Sequence, residues 1–153
     1  MMLFMNVNIL DDIAPIVAAL VLGGLIGLER EVHRKPAGLR TNMMICMAAT
    51  VFTLLAKSTY SDDSESRVIQ GIITGVGFLG AGALMHTSGN VHGMTTAATI
   101  WLVTSVGIAC GMERYDIAVI VTILALAVLW GLSPLDKRLN KNKLSGDIPK
   151  NIL

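Results

Sequence analysis

The chain has 153 residues, of which 53% are hydrophobic and only 15% are charged, and its formal net charge is +1. A mean hydropathy of +0.64 leaves too little polar surface to cover a water-soluble globule. The near-neutral charge argues against nucleic acid as a partner, because nucleic-acid-binding surfaces are strongly basic. The composition therefore predicts a protein dissolved in a lipid bilayer and argues against a soluble enzyme.

Five apolar runs follow one another along the chain, each close to the length that a helix needs to cross a membrane. A span takes about 20 residues, since a helix rises about 1.5 Å per residue and the hydrocarbon layer is about 30 Å thick. Because each run is somewhat short, we expect the helices to extend into their flanks or to cross a thin bilayer. The runs predict helices over residues 13–28, 41–56, 68–85, 97–112 and 115–132.

The predicted fold is thus all-α, a polytopic membrane helix bundle of about five transmembrane helices. Residues 1–132 form the predicted membrane domain, and residues 133–153 form a short polar tail. The first run lacks a preceding basic stretch, since the first positive side chain is Arg30. We therefore expect it to remain as a membrane anchor and not to be cleaved as a signal peptide.

Small polar residues at the starts of three runs predict where helices begin. Asp12 suits the N-cap of the first helix. Thr41 is the predicted N-cap of the second helix, and Thr95 or Thr96 that of the fourth.

The distribution of Lys and Arg predicts the orientation of the bundle, because cytoplasmic loops of membrane proteins are enriched in both. With the N-terminus outside, the outside segments hold three of these residues: Lys57, Arg67 and Arg114. The inside segments then hold the other nine: Arg30, Arg34, Lys35, Arg40, Lys137, Arg138, Lys141, Lys143 and Lys150. We therefore predict an outside N-terminus and a cytoplasmic C-terminus.

Glycines mark the faces on which helices are expected to pack. Small residues let helix backbones approach closely in lipid, so glycines spaced along one face favour tight contacts within the chain, in a homodimer or with a partner membrane protein. The third run carries Gly71, Gly75, Gly77, Gly80 and Gly82, the first run Gly23 and Gly27, and the fourth run Gly107 and Gly111. Residues 75–80 also satisfy the dinucleotide pattern G-x-G-x-x-G, but no βαβ unit surrounds them.

Charged residues at the end of the first run are the first candidates for function, because charge near a bilayer is costly. Glu29 and Glu31 supply the carboxylates that Mg²⁺ prefers, one or two of them with several retained waters. Interfacial anchoring of these residues is the competing interpretation. Arg40 could pair with either carboxylate, which would place a charge cluster at one end of the bundle.

Residues 88–96 are polar and glycine-rich, and two interpretations stay open for them. They form either a plain cytoplasmic loop or a segment that re-enters the membrane and lines a cavity. No pairing of a nucleophile with a base stands out, so no catalytic residue is predicted. The polar site predicted around the two carboxylates contains Arg30, Arg40, Thr41, Asn42, Asn90, His92, Thr95 and Thr96.

Four ordered sequence blocks resemble the MgtC/SapB membrane proteins: residues 27–31 (GLERE), 37–41 (AGLRT), 75–82 (GVGFLGAG) and 91–99 (VHGMTTAAT). The resemblance covers roughly residues 13–132 and is closest to the short form without a C-terminal cytoplasmic domain. Two positions depart from the expected pattern. Asn42 stands where a histidine is common, and His92 stands where an arginine is common, which puts a permanent positive charge at His92 in doubt.

The resemblance implies a bacterial inner-membrane protein of magnesium homeostasis, from a family associated with survival of pathogens in host cells. The motif residues carried over to this chain are Glu29, Arg30, Glu31, Gly38, Arg40, Thr41, Asn90, Gly93, Thr95 and Thr96. Two hypotheses follow. The protein binds or transports a divalent cation such as Mg²⁺, or it is a small regulatory subunit that modulates another membrane complex through its glycine-lined helices.

Overall fold

The structure, a computed structural model, describes residues 9–58, 62–87 and 90–132, and the predicted tail lies outside these residues. Side chains are described except at residues 9–12, 62–64 and 85–90. Five helices account for nearly all of this part of the chain: α1 (Ile9–Val32), α2 (Leu39–Lys57), α3 (Asp62–Gly82), α4 (Met94–Gly111) and α5 (Tyr115–Gly131). The predicted all-α membrane helix bundle is confirmed.

Three of the helices are long and apolar enough to cross a membrane: Ile13–Val32 within α1, α2 and α4. α5 is a shorter apolar helix of 17 residues. α3 begins six residues earlier than its apolar run predicted, because the polar segment 62–67 joins the helix. Large apolar side chains lie exposed on the outer faces, such as Phe78 at 82% and Trp130 at 66%, as expected for helices surrounded by lipid.

Successive helices run in opposite directions, so the bundle has two distinct ends. At one end, the Nζ of Lys57 lies 2.7 Å from Oε1 of Glu113 and connects α2 to the turn between α4 and α5. At the other end, Arg30 of α1 contacts Thr96 of α4. We call this second end, formed by residues 29–42 and 83–96, the polar end.

The core lies where α1, α2 and α4 meet. Its centre contains Ile26, Cys46, Val103, Val106 and Cys110, all almost fully buried. Four glycines allow the close approach, because an added Cβ would collide with a neighbouring helix at each. Such a Cβ would lie 2.6 Å from Cys46 at Gly23, 2.8 Å from Leu39 at Gly27 and 2.6 Å from Thr53 at Gly111, and would overlap the Cys46 carbonyl oxygen at Gly107.

A short β-hairpin, which the sequence did not predict, connects α3 to α4. Strand β1 (Met85–Thr87) pairs antiparallel with β2 (Asn90–His92), with Met85 opposite His92. Gly93 follows with φ 91°, a left-handed conformation that glycine adopts without penalty. An added Cβ there would overlap the carbonyl oxygen of Ala83, so the glycine lets the hairpin return against the end of α3.

All three predicted N-caps are wrong. α1 continues through Asp12 back to Ile9. The N-caps of α2 and α4 are Gly38 and Gly93, and neither provides a side-chain hydrogen bond. In α2 the carboxylate of Glu31 accepts a hydrogen bond from the Leu39 amide at 3.0 Å, so a side chain from the preceding helix satisfies the helix end.

Candidate functional site

The polar end contains a buried ion pair between neighbouring residues of α1. Glu29 and Arg30 are 5% and 3% exposed, and Nη1 of Arg30 lies 4.0 Å from Oε2 of Glu29. Nη2 of Arg30 donates a hydrogen bond to Oγ1 of Thr96 at 3.1 Å, which ties α1 to the first turn of α4. A buried charge is stable only when it is paired and hydrogen-bonded. Glu29 and Arg30 neutralise each other's charge, and Thr96 accepts one of the hydrogen bonds that Arg30 can donate.

His33, which the sequence analysis did not select, completes this cluster. Its Nδ1 lies 3.1 Å from Oε1 of Glu29 and 2.9 Å from the Glu29 backbone oxygen. Both oxygens are acceptors, so the geometry suits a hydrogen bond donated by Nδ1. The spacing of four residues on one helix, which places side chains on the same face, is the signal that could have identified it.

Asn42 is fully buried beside the turn that connects α1 to α2. Its Nδ2 donates hydrogen bonds to the carbonyl oxygens of Ala37 and Gly38, the latter at 2.9 Å. Ala37 has a φ of 55°, a left-handed conformation that is unfavourable for alanine, and the bonds from Asn42 help to hold it. Asn42 thus lies in the buried part of the polar end.

Three buried polar atoms at this end have no hydrogen-bond partner in the described part of the chain: Oε2 of Glu29, Nε of Arg30 and Oδ1 of Asn42. Unpaired buried polar atoms are rare, since each costs about 1–3 kcal/mol. Two of the three are oxygens, the atom type that binds Mg²⁺.

The two carboxylates predicted as metal ligands do not converge. Glu29 is buried, whereas Glu31 is exposed and binds the amide of Leu39. Residues two apart on a helix do not face each other, which explains the separation. Within the described residues, no group of three or more His, Cys, Asp or Glu side chains could hold a metal ion. A cation at the polar end would therefore rely on Glu29, neutral oxygens and retained water.

The remaining predicted polar residues lie around the cluster and not in it. Arg40, Thr41, His92 and Thr95 are exposed. Arg40 forms no ion pair with Glu29 or Glu31. Arg30 lies beside the carboxylate of Glu29, and the carboxylate of Glu31 accepts from the Leu39 amide. Asn90 lies in β2 opposite Thr87, and its side chain is outside the described part of the structure.

The predicted glycine faces differ in what they contact. Gly23, Gly27, Gly107 and Gly111 pack within the chain, as described above. Gly80 lies beside Ala97 and Trp101 of α4, at ordinary contact distance. The other glycines of α3 have nothing within 4 Å of an added Cβ in the described chain: Gly71, Gly75, Gly77 and Gly82.

Fold and site together define a membrane helix bundle with a buried Glu–Arg pair at one end. The family model described as the MgtC family matches residues 16–138, and the chain belongs to this family. It is 39% identical to Protein MgtC of Salmonella typhi over 138 residues, which cover 90% of this chain and 59% of that protein. It is 40% identical to Protein MgtC of Brucella abortus (strain 2308) over 122 residues, 80% of this chain and 51% of that protein.

The chain thus spans little more than half the length of the curated relatives it matches. No solved structure matches it.

Proposed function

We propose that this protein is a multi-pass protein of the bacterial inner membrane with a non-enzymatic role in the homeostasis of magnesium or a related cation. In this proposal the polar end faces the cytoplasm and the cation acts at Glu29. The observation that carries the proposal is Oε2 of Glu29, a buried carboxylate oxygen that accepts no hydrogen bond in the described chain and has only the Arg30 guanidinium at 4.0 Å beside it. Mg²⁺ commonly binds through one carboxylate while it keeps several waters.

The surrounding charges bear on how tightly such a cation would bind. The guanidinium of Arg30 lies 4.0 Å from the same carboxylate oxygen and repels a second positive charge. Its hydrogen bond to Thr96 holds it on the α4 side of the carboxylate. We therefore expect weak Mg²⁺ binding, with a Kd near cellular magnesium concentrations. Such an affinity suits a protein that senses Mg²⁺ better than one that stores it.

The orientation within this proposal follows from the ends of the bundle. The polar end has Arg30, Arg34, Lys35 and Arg40, whereas the opposite end has Lys57, Arg67 and Arg114. The larger number of Lys and Arg residues favours the cytoplasmic side of a membrane.

The test is a Mg²⁺ titration of the purified protein in lipid nanodiscs, comparing wild type with Glu29→Gln and Glu31→Gln. Glu29→Gln is expected to abolish saturable binding, because it removes the buried carboxylate. Glu31→Gln is the matched control, since Glu31 is exposed and already binds the Leu39 amide. Identical isotherms for wild type and Glu29→Gln would refute a cation site at the polar end.

A second function, a small regulatory subunit without transport of its own, is supported by the uncovered glycines of α3. Gly77 has nothing within 4 Å of an added Cβ in the described chain and does not line the space between α2 and α3, so this side of α3 is free to contact a helix of a second copy or of a partner membrane protein. Gly77→Leu is expected to abolish co-purification of the partner. Gly131→Leu, at an equally open position on α5, serves as the control. Retention of every partner by Gly77→Leu would count against this function.

A further inference from the structure

An apolar groove of about 590 Å³ lies between α2 and α3 on the outer surface of the bundle. Met44, Ala48 and Phe52 form its α2 wall, and Val68, Ile72 and Leu79 are on the α3 side. The hydroxyl of Thr104 is also in the lining. It donates a hydrogen bond to the Ile100 carbonyl oxygen at 2.8 Å, so it is satisfied without a polar ligand.

We propose that this groove binds one acyl chain of an anionic phospholipid, whose phosphate is held by Arg40. The groove runs along α2, which is long and apolar enough to cross a membrane, so in a bilayer it would face lipid, and its lining is almost entirely hydrocarbon. An acyl chain buries that surface without any polar group to satisfy.

The length of the groove favours an acyl chain over a helix. The α2 wall from Met44 to Phe52 covers eight residue steps and the α3 side from Val68 to Leu79 eleven, which is about 12 and 16 Å at 1.5 Å per residue. One leaflet of the hydrocarbon layer is about 15 Å thick, half of about 30 Å. A transmembrane helix packed here would need a surface about twice as long.

Arg40 supplies the charge complementarity. It lies four residues before Met44, so it continues the row of Met44, Ala48 and Phe52 by one turn toward the polar end. Its side chain is exposed and forms no ion pair with any side chain in the part of the chain that the structure describes. A phosphate at the leaflet surface is the anion within reach of such a position.

Native mass spectrometry of the full chain in detergent, titrated with phosphatidylglycerol, tests the proposal. The wild type is expected to retain one phosphatidylglycerol per chain, in preference to zwitterionic phosphatidylethanolamine. Arg40→Gln is expected to lower the affinity for phosphatidylglycerol about fivefold, the effect of one cation near a membrane surface. Its affinity for phosphatidylethanolamine is expected to fall less.

Ala48→Trp tests the groove itself, because the indole would fill it from the α2 wall. This variant is expected to lose bound lipid of both headgroups. Ala127→Trp, the same change at an exposed position of α5 outside the groove lining, is expected to keep it. Inorganic phosphate is expected not to compete, since it lacks the chain that fills the groove.

Three results would overturn the proposal. Unchanged lipid retention in Ala48→Trp would remove the groove as the site, and an unchanged headgroup preference in Arg40→Gln would remove the role of Arg40. If the wild type is a dimer, and Ala48→Trp dissociates it without changing lipid retention, the groove would be the contact surface for a second copy of the chain.

Discussion

The seam between α1, α2 and α4 and the outer face of α3 are both rich in glycine, yet the structure uses the two regions differently. Gly23, Gly27, Gly107 and Gly111 bring three helices into direct backbone contact. Gly71, Gly75 and Gly82 lie on one side of α3 and Gly77 on another; none has an atom within 4 Å of an added Cβ in the described chain, and Gly71 and Gly75 line the apolar groove beside α2. A small-residue stripe therefore indicates that a helix can be approached closely, and the tertiary structure decides what approaches it.

The buried ion pair lies in the closed seam, and breaking it is expected to have the largest effect on stability. Arg30→Ala leaves the carboxylate of Glu29 buried without its cation, which should cost about 3–5 kcal/mol of unfolding free energy. Unfolding by denaturing detergent, followed by circular dichroism, measures the change. Arg40→Ala, at an exposed position without an ion pair, is the control; an equal loss in both variants would contradict the burial of Arg30.

A glycine substitution in each region compares them directly. Gly107→Ala places a methyl group against the Cys46 carbonyl oxygen and should cost about 1–3 kcal/mol through overpacking. Gly75→Ala meets nothing and should be neutral or stabilise α3 by up to about 1 kcal/mol, the difference in helix propensity. The same detergent unfolding assay applies. Equal destabilisation would show that the α3 face is covered in the isolated chain.

Two threonines allow the packed seam and α3 to be compared through single hydrogen bonds. Oγ1 of Thr50 lies 2.8 Å from the carbonyl oxygen of Gly107 and connects α2 to α4, whereas Thr74 on α3 donates only to Gln70 of its own helix. Thr50→Val should cost about 0.6 kcal/mol, and at most about 1.7, as for other interhelical bonds in membranes. Thr74→Val should change stability less. The reverse order would mean that α3 is held by polar contacts.

The smallest effect is expected from the ion pair at the end of the bundle opposite the polar end. Lys57 and Glu113 are about half exposed, so a double-mutant cycle with alanine should give a coupling of about 0.2–1 kcal/mol. The coupling should decrease as salt is raised, because salt screens exposed charges. A coupling that does not respond to salt would indicate that lipid or protein shields the pair.

The hydrophobic runs predict most of the helix ends to within a few residues, but they do not predict the contacts that the helices make with each other. Arg30 and not Arg40 pairs with Glu29, because the position of a side chain around the helix axis decides which cation is buried. His33 was overlooked although its spacing from Glu29 was readable. The expected caps failed because Glu31 of α1 satisfies the start of α2 from outside the helix, a contact that local sequence does not show.

By itself, the amino-acid sequence determined the solvent of this protein, the order and approximate bounds of its five helices and its resemblance to a family. These follow from hydrophobic run length and local motifs, which act over one helix at a time. Only the tertiary structure decided which glycines close a seam, which charges are buried and where the apolar groove opens. Each of these depends on how two or three helices are rotated against each other, and that rotation is set by the packing of the whole bundle.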